Sequence, residues 1–520
     1  MQSLILRLSF AGTILLSQAA FGSPYKLGVV LVVDQFRADY LMRFKKDFIP
    51  ASGQSGGYRW LMEKGAYFPL ADHGLLKNMT GPGHAAIMSG AYPYRHGISL
   101  NTWLDRSTQK PMYCVQDDEF KIIGSSGVVT NARMGISPKN FNASTVGDEL
   151  KNVDRPSRVV SVSLKDRAAV LLGGKRADHA IWFDDVNCQW VTSSFYEKTL
   201  PEFAKKSNTK LSEMKNGTYS WGPYSNVKYC SKESLQTPWA AKETFDLALN
   251  AVDEMKLGEG KDTDLLLISL SSHDYLGHRL GPNDPNMKLM TLAEDKMIAD
   301  FLKQIAARVP GGLKDVFIVL TGDHGVPPLP KALPLDRVAA ENIDEALVPK
   351  IVEETMTAEF GKPKGGKWVQ AMFEFELYLN LEALKSAKVS ITRAVEVLRP
   401  RLMKERFIDQ VWNRDEIMLD RKVPAGEYGR IADRTLSRQS GDIILTLKPF
   451  YYSDSYYPVT HMTHYSYDRY VPLIMWGKTF KPGTYRQIVN VVDIAPTLSS
   501  ILEVIPPTQS EGRVITEILR

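Results

Sequence analysis

Four nearly continuous apolar runs constrain what this chain can fold into: Leu27–Val33, Leu265–Leu270, Val316–Leu320 and Val471–Trp476. They are rich in Val, Ile and Leu and lack alternation of polar and apolar residues, the pattern of strands covered on both faces. That pattern predicts an α/β protein built on a mostly parallel central sheet. Asp34 follows the first run, Asp274 and His278 the second, and Asp323 and His324 the third, while His461 precedes the fourth. Open α/β sheets bind ligands beyond the carboxyl ends of their strands, so these six side chains are expected to converge.

Taken singly, each of the six reads as an ordinary cap or turn residue. In combination they have the chemistry of a two-metal site. Asp274 and His278 are four apart and share one face of a helical turn. Thr321-Gly322-Asp323-His324-Gly325 puts two adjacent donors in a glycine-flanked loop, where backbone can approach an ion closely. Mixed carboxylate and imidazole donors suit zinc better than calcium, which takes only oxygen, or an iron–sulfur cluster, which takes mainly thiolate. Spacing does not allot the six to individual ions. A further carboxylate, Asp295 in Leu292-Ala293-Glu294-Asp295-Lys296, has the charge pattern of a solvated helix face and is read as a surface residue.

Asn78-Met79-Thr80-Gly81-Pro82-Gly83-His84 reads as a loop feeding a helix, with Thr80 near the N-cap. Free N–H groups and the helix dipole there would favour an anion. Thr80 reads equally as a cap or as a nucleophile, since a hydroxyl without a histidine base can be activated by a metal ion. Val159–Ala168 reads as a strand ending in alternating charge, which would put Lys165 and Arg167 on one face and Asp166 on the other. Such a pair is a solvated strand end unless an anion lies between the two cations. A doubly charged phosphoryl group would suit the guanidinium fork and the ammonium. Asn101, in Ser99-Leu100-Asn101-Thr102-Trp103, reads as a turn residue.

The ordered set of Asp34, Thr80-Gly-Pro-Gly-His84, Gly90–Gly97, Asp274-x-x-x-His278, Asp323-His324 and His461 resembles the alkaline phosphatase superfamily. Within it the chain is similar to the secreted, threonine-nucleophile bacterial enzymes of the phosphate-irrepressible type, over about Lys26 to Gly477. The resemblance implies a three-layer alkaline-phosphatase-like core and two zinc ions. Asp274, His278 and His461 would hold one ion, and Asp34, Asp323 and His324 the other, with Thr80 beside the second. It further implies that Thr80 becomes phosphorylated and that Asn101, Lys165 and Arg167 bind the phosphoryl group of small phosphate monoesters. His84 and His96 fall outside the implied metal positions and are read as supporting residues. The alternative is a nucleotide phosphodiesterase/pyrophosphatase of the same superfamily, which Lys165-x-Arg167 argues against. A catalytically silent phosphate-ester or metal-binding protein is a third reading. The sulfatase signature is not met, because Thr80 and His84 stand where that family has an oxidisable residue and an arginine.

Residues 1–22, with the single charge Arg7 and an apolar run through Leu16, read as a secretory signal peptide. That implies a periplasmic or secreted protein with no membrane attachment after cleavage. Loss of the leader takes the formal net charge from +5 to +4, and no basic run stands out, so no specific nucleic-acid partner is expected. A monomer is expected. Cys114, Cys188 and Cys230 allow one intramolecular disulfide, its pairing open, and leave one thiol over. Residues 23–520 read as one catalytic domain with ligand-free insertions at about 178–238 and 327–458. The second insertion carries strand-like Ala371–Leu379 and Asp442–Leu447 and the helical pattern Ile391–Leu398, predicting a small α+β subdomain.

Overall fold

The computed structural model describes residues 23–520 except 54, 154–155, 331–332, 334–338, 365 and 454–455; the leader reading for residues 1–22 lies outside the described residues. A 12-stranded sheet forms the centre. Its middle strands run parallel in the spatial order Val316–Gly322, Leu27–Val33, Asp264–Leu270, Val159–Ser163 and His179–Asp184. Tyr470–Trp476 joins antiparallel beside Val316–Gly322, and Ala66–Asp72 lies outside it.

Every residue of Leu27–Val33, Asp264–Leu270 and Val316–Gly322 is buried, which is why these stretches read as continuous apolar runs. Successive side chains leave a strand on opposite faces. Val29 and Leu31 accordingly pack in one apolar layer, with Phe245 and Ala248 of helix Pro238–Met255 and Ile298 and Phe301 of helix Pro285–Arg308. Val30 and Val32 pack in the other, with Ile87 and Met88 of helix Thr80–Ser89 and Leu498 of helix Ile494–Leu502. The result is the expected three-layer α/β architecture with a mostly parallel sheet.

Strand register positions the site. Val33 pairs with both Leu270 and Gly322, so Asp34, Ser271 and Asp323 leave the sheet at one level. Ser163 pairs with Ser269 on the far side of the Asp264–Leu270 strand, bringing Lys165 to the same edge.

Several local expectations need correction. The strand expected through Ala168 stops at Ser163; Lys165 caps helix Asp166–Gly173, and Arg167 lies in its first turn. Ala168 to Leu172 are mostly good helix formers, and Asp166 complements the positive end of the helix, so helical propensity prevails over the β-branched run before it. Strand alternation therefore does not align Lys165 with Arg167; a helix start does. Ala371–Leu379 is not one strand but a hairpin, Val369–Phe373 and Glu376–Leu379, turning at Glu374 and Phe375 with φ of 51° and 62°. Two consecutive positive φ values are the geometry of a tight hairpin turn, here without the Asn or Gly that usually signals it.

In the 178–238 stretch, His179–Asp184 and Gln189–Ser193 are strands of the central sheet, and Trp190 is buried in its core. Helix Glu202–Met214 and the hairpin Thr218–Trp221/Tyr224–Lys228 follow. A disulfide joins Cys188 to Cys230, and Cys114 is a buried free thiol. The later stretch holds a four-stranded sheet of Val369–Phe373, Glu376–Leu379, Ile443–Leu447 and Ile408–Asn413. Helices Leu347–Phe360 and Ile391–Leu402 share an apolar core with it. Among the described residues no helix is long and apolar enough to cross a membrane.

Asp295 is not a surface residue. It is 1% exposed and accepts hydrogen bonds from the backbone N–H of Ile49 at 2.7 Å and of Tyr58 at 2.6 Å. Tyr58 is the first residue of helix Tyr58–Lys64, so Asp295 satisfies an N–H that the helix itself cannot. The local charge pattern misleads because this face of helix Pro285–Arg308 is covered by a segment distant in sequence. Asp295→Ala strands one buried and one half-buried donor at about 1–3 kcal/mol each, so a loss on the order of 2–6 kcal/mol is expected in denaturant unfolding. A loss below about 0.5 kcal/mol, the scale of surface substitutions, would contradict this role.

Candidate active site

The six predicted donors meet at the carboxyl edge of the sheet as two buried clusters. Asp274, His278 and His461 form one, and Asp34, Asp323 and His324 the other; in each, one donor atom per residue lies within 4.8 Å of the rest. The helix predicted for Asp274 and His278 is Ser272–Leu280. The clusters touch: the rings of His324 and His461 stack with centroids 3.6 Å apart.

Each histidine is turned by a backbone carbonyl. The Nδ1 atoms of His278, His324 and His461 lie 3.0, 3.0 and 2.6 Å from the carbonyl oxygens of Val459, Gly325 and Asn78. A proton on each Nδ1 completes these bonds and leaves Nε2 as the lone-pair donor, the arrangement that prepares imidazole for a metal. His278 Nε2 is 3.1 Å from Asp274 Oδ1, and His324 Nε2 is 3.4 Å from both Asp34 Oδ1 and Asp323 Oδ2.

Gln35, which sequence reading passed over, links the clusters. Its backbone N–H donates to Asp323 Oδ1 at 3.0 Å and its side-chain amide to Asp274 Oδ1 at 2.7 Å. This needs φ of 64°, uncommon for a residue with a side chain. It also needs Gly277, where a Cβ would lie 1.8 Å from Gln35 Oε1. Gly83 likewise lets the Thr80 helix approach the Asp323 backbone, where a Cβ would lie 2.2 Å from the Asp323 carbonyl oxygen. Only the proximity of Gln35 to Asp34 hints at its role in the sequence. His84, expected as a supporting residue, places Nδ1 2.9 Å from the Thr80 carbonyl oxygen and 3.2 Å from Asp323 Oδ2. His96 is buried away from both clusters, its Nδ1 accepting from the Ile98 N–H at 3.1 Å.

Thr80 is the first residue of helix Thr80–Ser89, with Met79 at the N-cap. Its hydroxyl oxygen is 3.4 Å from both Lys165 Nζ and Arg167 Nη2. Asn101 Oδ1 accepts the N–H of Gly81 at 2.8 Å, which brings its amide to the same helix start. Tyr113, absent from the sequence reading, holds Arg167: its hydroxyl accepts from Nη1 at 3.1 Å and donates to Asp166 Oδ1 at 2.6 Å. All ten predicted site residues therefore gather at one edge of the sheet.

The electrostatics are those of a site that would accept positive charge. Burial raises the Asp34 carboxyl pKa, and the nearby Asp274 and Asp323 raise it further. Burial would also raise Asp274, but His278 and Lys165 outweigh it and hold that carboxyl well below the usual range. His324 moves up to about 9: burial opposes its charge, yet Asp323 and Asp34 overcome that opposition. Lys165 Nζ lies 2.6 Å from Asp34 Oδ2 and 2.5 Å from Asp274 Oδ2, a lone ammonium between two carboxylates. Asp34 Oδ1 and His324 Nε2 remain buried without a hydrogen bond, and the 3.4 Å between them is too long for a good one. Orphaned acceptors converging on one point are what a bound cation would satisfy, so the donor set fits metal ions.

The model of the type I phosphodiesterase / nucleotide pyrophosphatase family matches residues 28–466. The chain belongs to that family, within the alkaline phosphatase superfamily. It is 29% identical to alkaline phosphatase PafA of Elizabethkingia meningoseptica, over 95% of this chain and 94% of that protein. It is 29% identical to alkaline phosphatase PhoV of Synechococcus elongatus, over 95% of this chain and 93% of that one. The crystal structure of wild type PafA matches with a TM-score of 0.85 at 28% identity, covering 95% of this chain and 99% of that one.

If the clusters hold metal, zinc added to chelator-stripped protein should raise the thermal midpoint. A site at a hundredfold excess over its Kd contributes about 2.7 kcal/mol. A midpoint that zinc leaves unchanged, read by calorimetry, would show that the clusters do not take the ion.

Proposed function

We propose that this chain is a periplasmic or secreted phosphomonoesterase working through a phosphothreonine at Thr80. The observation that carries this reading is the Thr80 hydroxyl, at a helix start, 3.4 Å from both Lys165 and Arg167 and beside two Asp/His clusters. Similarity to proteins named alkaline phosphatases over nearly the whole chain supports it. Asp274, His278 and His461 would hold one zinc, and Asp34, Asp323 and His324 the second. Zinc supplies Lewis acidity, favouring loss of a hydroxyl proton and offsetting negative charge on phosphoryl oxygens.

The chain's own part is nucleophile and cradle. Thr80 Oγ1, its proton given up to solvent, attacks phosphorus, the P–O bond to the alcohol breaks, the departing alkoxide takes a proton from water, and the phosphoryl group rests on Thr80. Water then attacks the same phosphorus, releasing inorganic phosphate and regenerating the hydroxyl. Lys165, Arg167, the Asn101 amide and the first N–H groups of helix Thr80–Ser89 hold the phosphoryl oxygens as charge redistributes. Small phosphate monoesters are the substrates, and one chain carries every group the reaction needs. The family's description favours a second reading, hydrolysis of diesters. Two adjacent cations weigh against it, because a monoester dianion neutralises them better than a diester monoanion does.

Thr80→Ala should remove most turnover, whereas Thr80→Ser, which keeps a hydroxyl, should retain a substantial part. Acid-quenched enzyme should carry labelled phosphate on Thr80; label on another residue, or normal turnover by Thr80→Ala, would disprove the assignment. For Lys165→Ala and Arg167→Ala, the monoester reaction should lose on the order of 2–4 kcal/mol of transition-state stabilisation, roughly 30- to 1,000-fold in kcat/KM. A matched aryl diester should lose much less. Equal losses on the two substrates, or a wild type that prefers the diester, would favour the phosphodiesterase reading.

A further inference from the structure

A cavity of about 640 Å³ opens beside the phosphate-binding pair, and no step above uses it. Lys165 and Arg167 form part of its wall, so it adjoins the pair that would hold the phosphoryl group. Tyr113 and Tyr275 also line it, and each touches one of the two cations. The Tyr113 hydroxyl accepts from Arg167, and Lys165 Nζ lies 5.1 Å from the centre of the Tyr275 ring. The remaining wall is apolar where it is deepest: Leu164 and Trp182 are each 5% exposed, and Ile136 is buried. The mouth is polar, with Asn131, Arg133 and Asp185 exposed and Asp184 half-buried.

We propose that this cavity receives the organic group of the phosphate ester and selects esters of neutral, ring-bearing alcohols, a specificity that rests on the phosphomonoesterase reading. The volume falls within the roughly 300–1,000 Å³ of small-molecule pockets. Tyr113, Tyr275 and Trp182 offer flat faces, against which a planar ring packs better than an alkyl chain does. Besides Lys165 and Arg167 the charged lining is one arginine, Arg133, against three aspartates, Asp166, Asp184 and Asp185. A second phosphate there would meet excess negative charge, whereas a neutral ring with a polar edge finds both donors and acceptors. The tyrosines that steady the two cations would thus also hold the alcohol, coupling recognition of the ring to alignment of the phosphoryl group.

The test narrows the cavity without touching the phosphate site. Ala132 is exposed at the mouth, so Ala132→Trp fills space there, while Trp182→Leu removes a flat wall but keeps it apolar. On the zinc-loaded enzyme, Ala132→Trp should lower kcat/KM for phenyl phosphate at least tenfold and leave ethyl phosphate within twofold. Trp182→Leu should shift the same ratio at least threefold. Calorimetry with two non-hydrolysable probes reads binding apart from turnover: benzylphosphonate should weaken by matching factors and methylphosphonate should not. Equal changes for ring-bearing and small ligands in both variants, or no change in either, overturns the cavity assignment. A wild type that binds the phosphonates with this selectivity but hydrolyses neither ester would instead overturn the phosphomonoesterase reading and leave the cavity standing.

Discussion

Three carboxylates buried at one edge of a sheet cannot all stay ionised unless positive charge is placed among them, and much of this molecule meets that requirement. Asp34, Asp274 and Asp323 come together because their strands, or the helix start that follows one of them, leave the sheet at one level. Like charges in so dry a place raise one another's pKa, as Asp34 does. Lys165 supplies one compensating charge from a helix cap on the adjoining strand, and His324 is pulled toward its charged form. The acceptors still unsatisfied are those a metal would meet. Lys165, the three carboxylates and His324 are thus one electrostatic unit, in which the charge of each bears on the protonation of the others.

Holding that unit still falls to groups that are themselves not reactive. Three backbone carbonyls turn three imidazoles, and Gln35 ties Asp274 to Asp323 across the two clusters. The four-stranded sheet of residues 369–447 takes part. Lys77, buried three residues before Thr80, donates to its Leu445 carbonyl at 2.9 Å, and the next residue, Asn78, accepts from His461. That sheet therefore braces the loop that leads to Thr80. Burial lowers the Lys77 pKa to about 8, although Glu376 and Glu374 partly oppose the shift. A buried ammonium of this kind destabilises the fold unless its carbonyl and carboxylate neighbours stay in place, which makes the junction selective about its geometry.

The central sheet was legible because burial on both faces writes itself into sequence as uninterrupted Val, Ile and Leu, and Leu27–Val33 and Val316–Gly322 follow that rule. The six Asp and His donors were legible for a related reason: each lies just beyond, or just before, such a run. Asp295 was misread because helical charge patterns report only neighbours in sequence, whereas its partners Ile49 and Tyr58 lie some 240 residues away along the chain. Lys165 and Arg167 both approach Thr80, but from a helix start and not from a shared strand face. The β-branched run before them hid the start of a helix.

The sequence by itself determined which segments form the buried strands at the middle of the sheet and which Asp and His side chains stand near their ends. Those facts follow from hydrophobic pattern and local spacing, which are properties of neighbours along the chain. Only the tertiary structure decided that Gln35 joins the two clusters, that Tyr113 steadies Arg167 and that a cavity opens beside Lys165 and Arg167. Each of these depends on distances between residues far apart in sequence. Such distances are set by strand register and helix packing, which no local pattern of residues encodes.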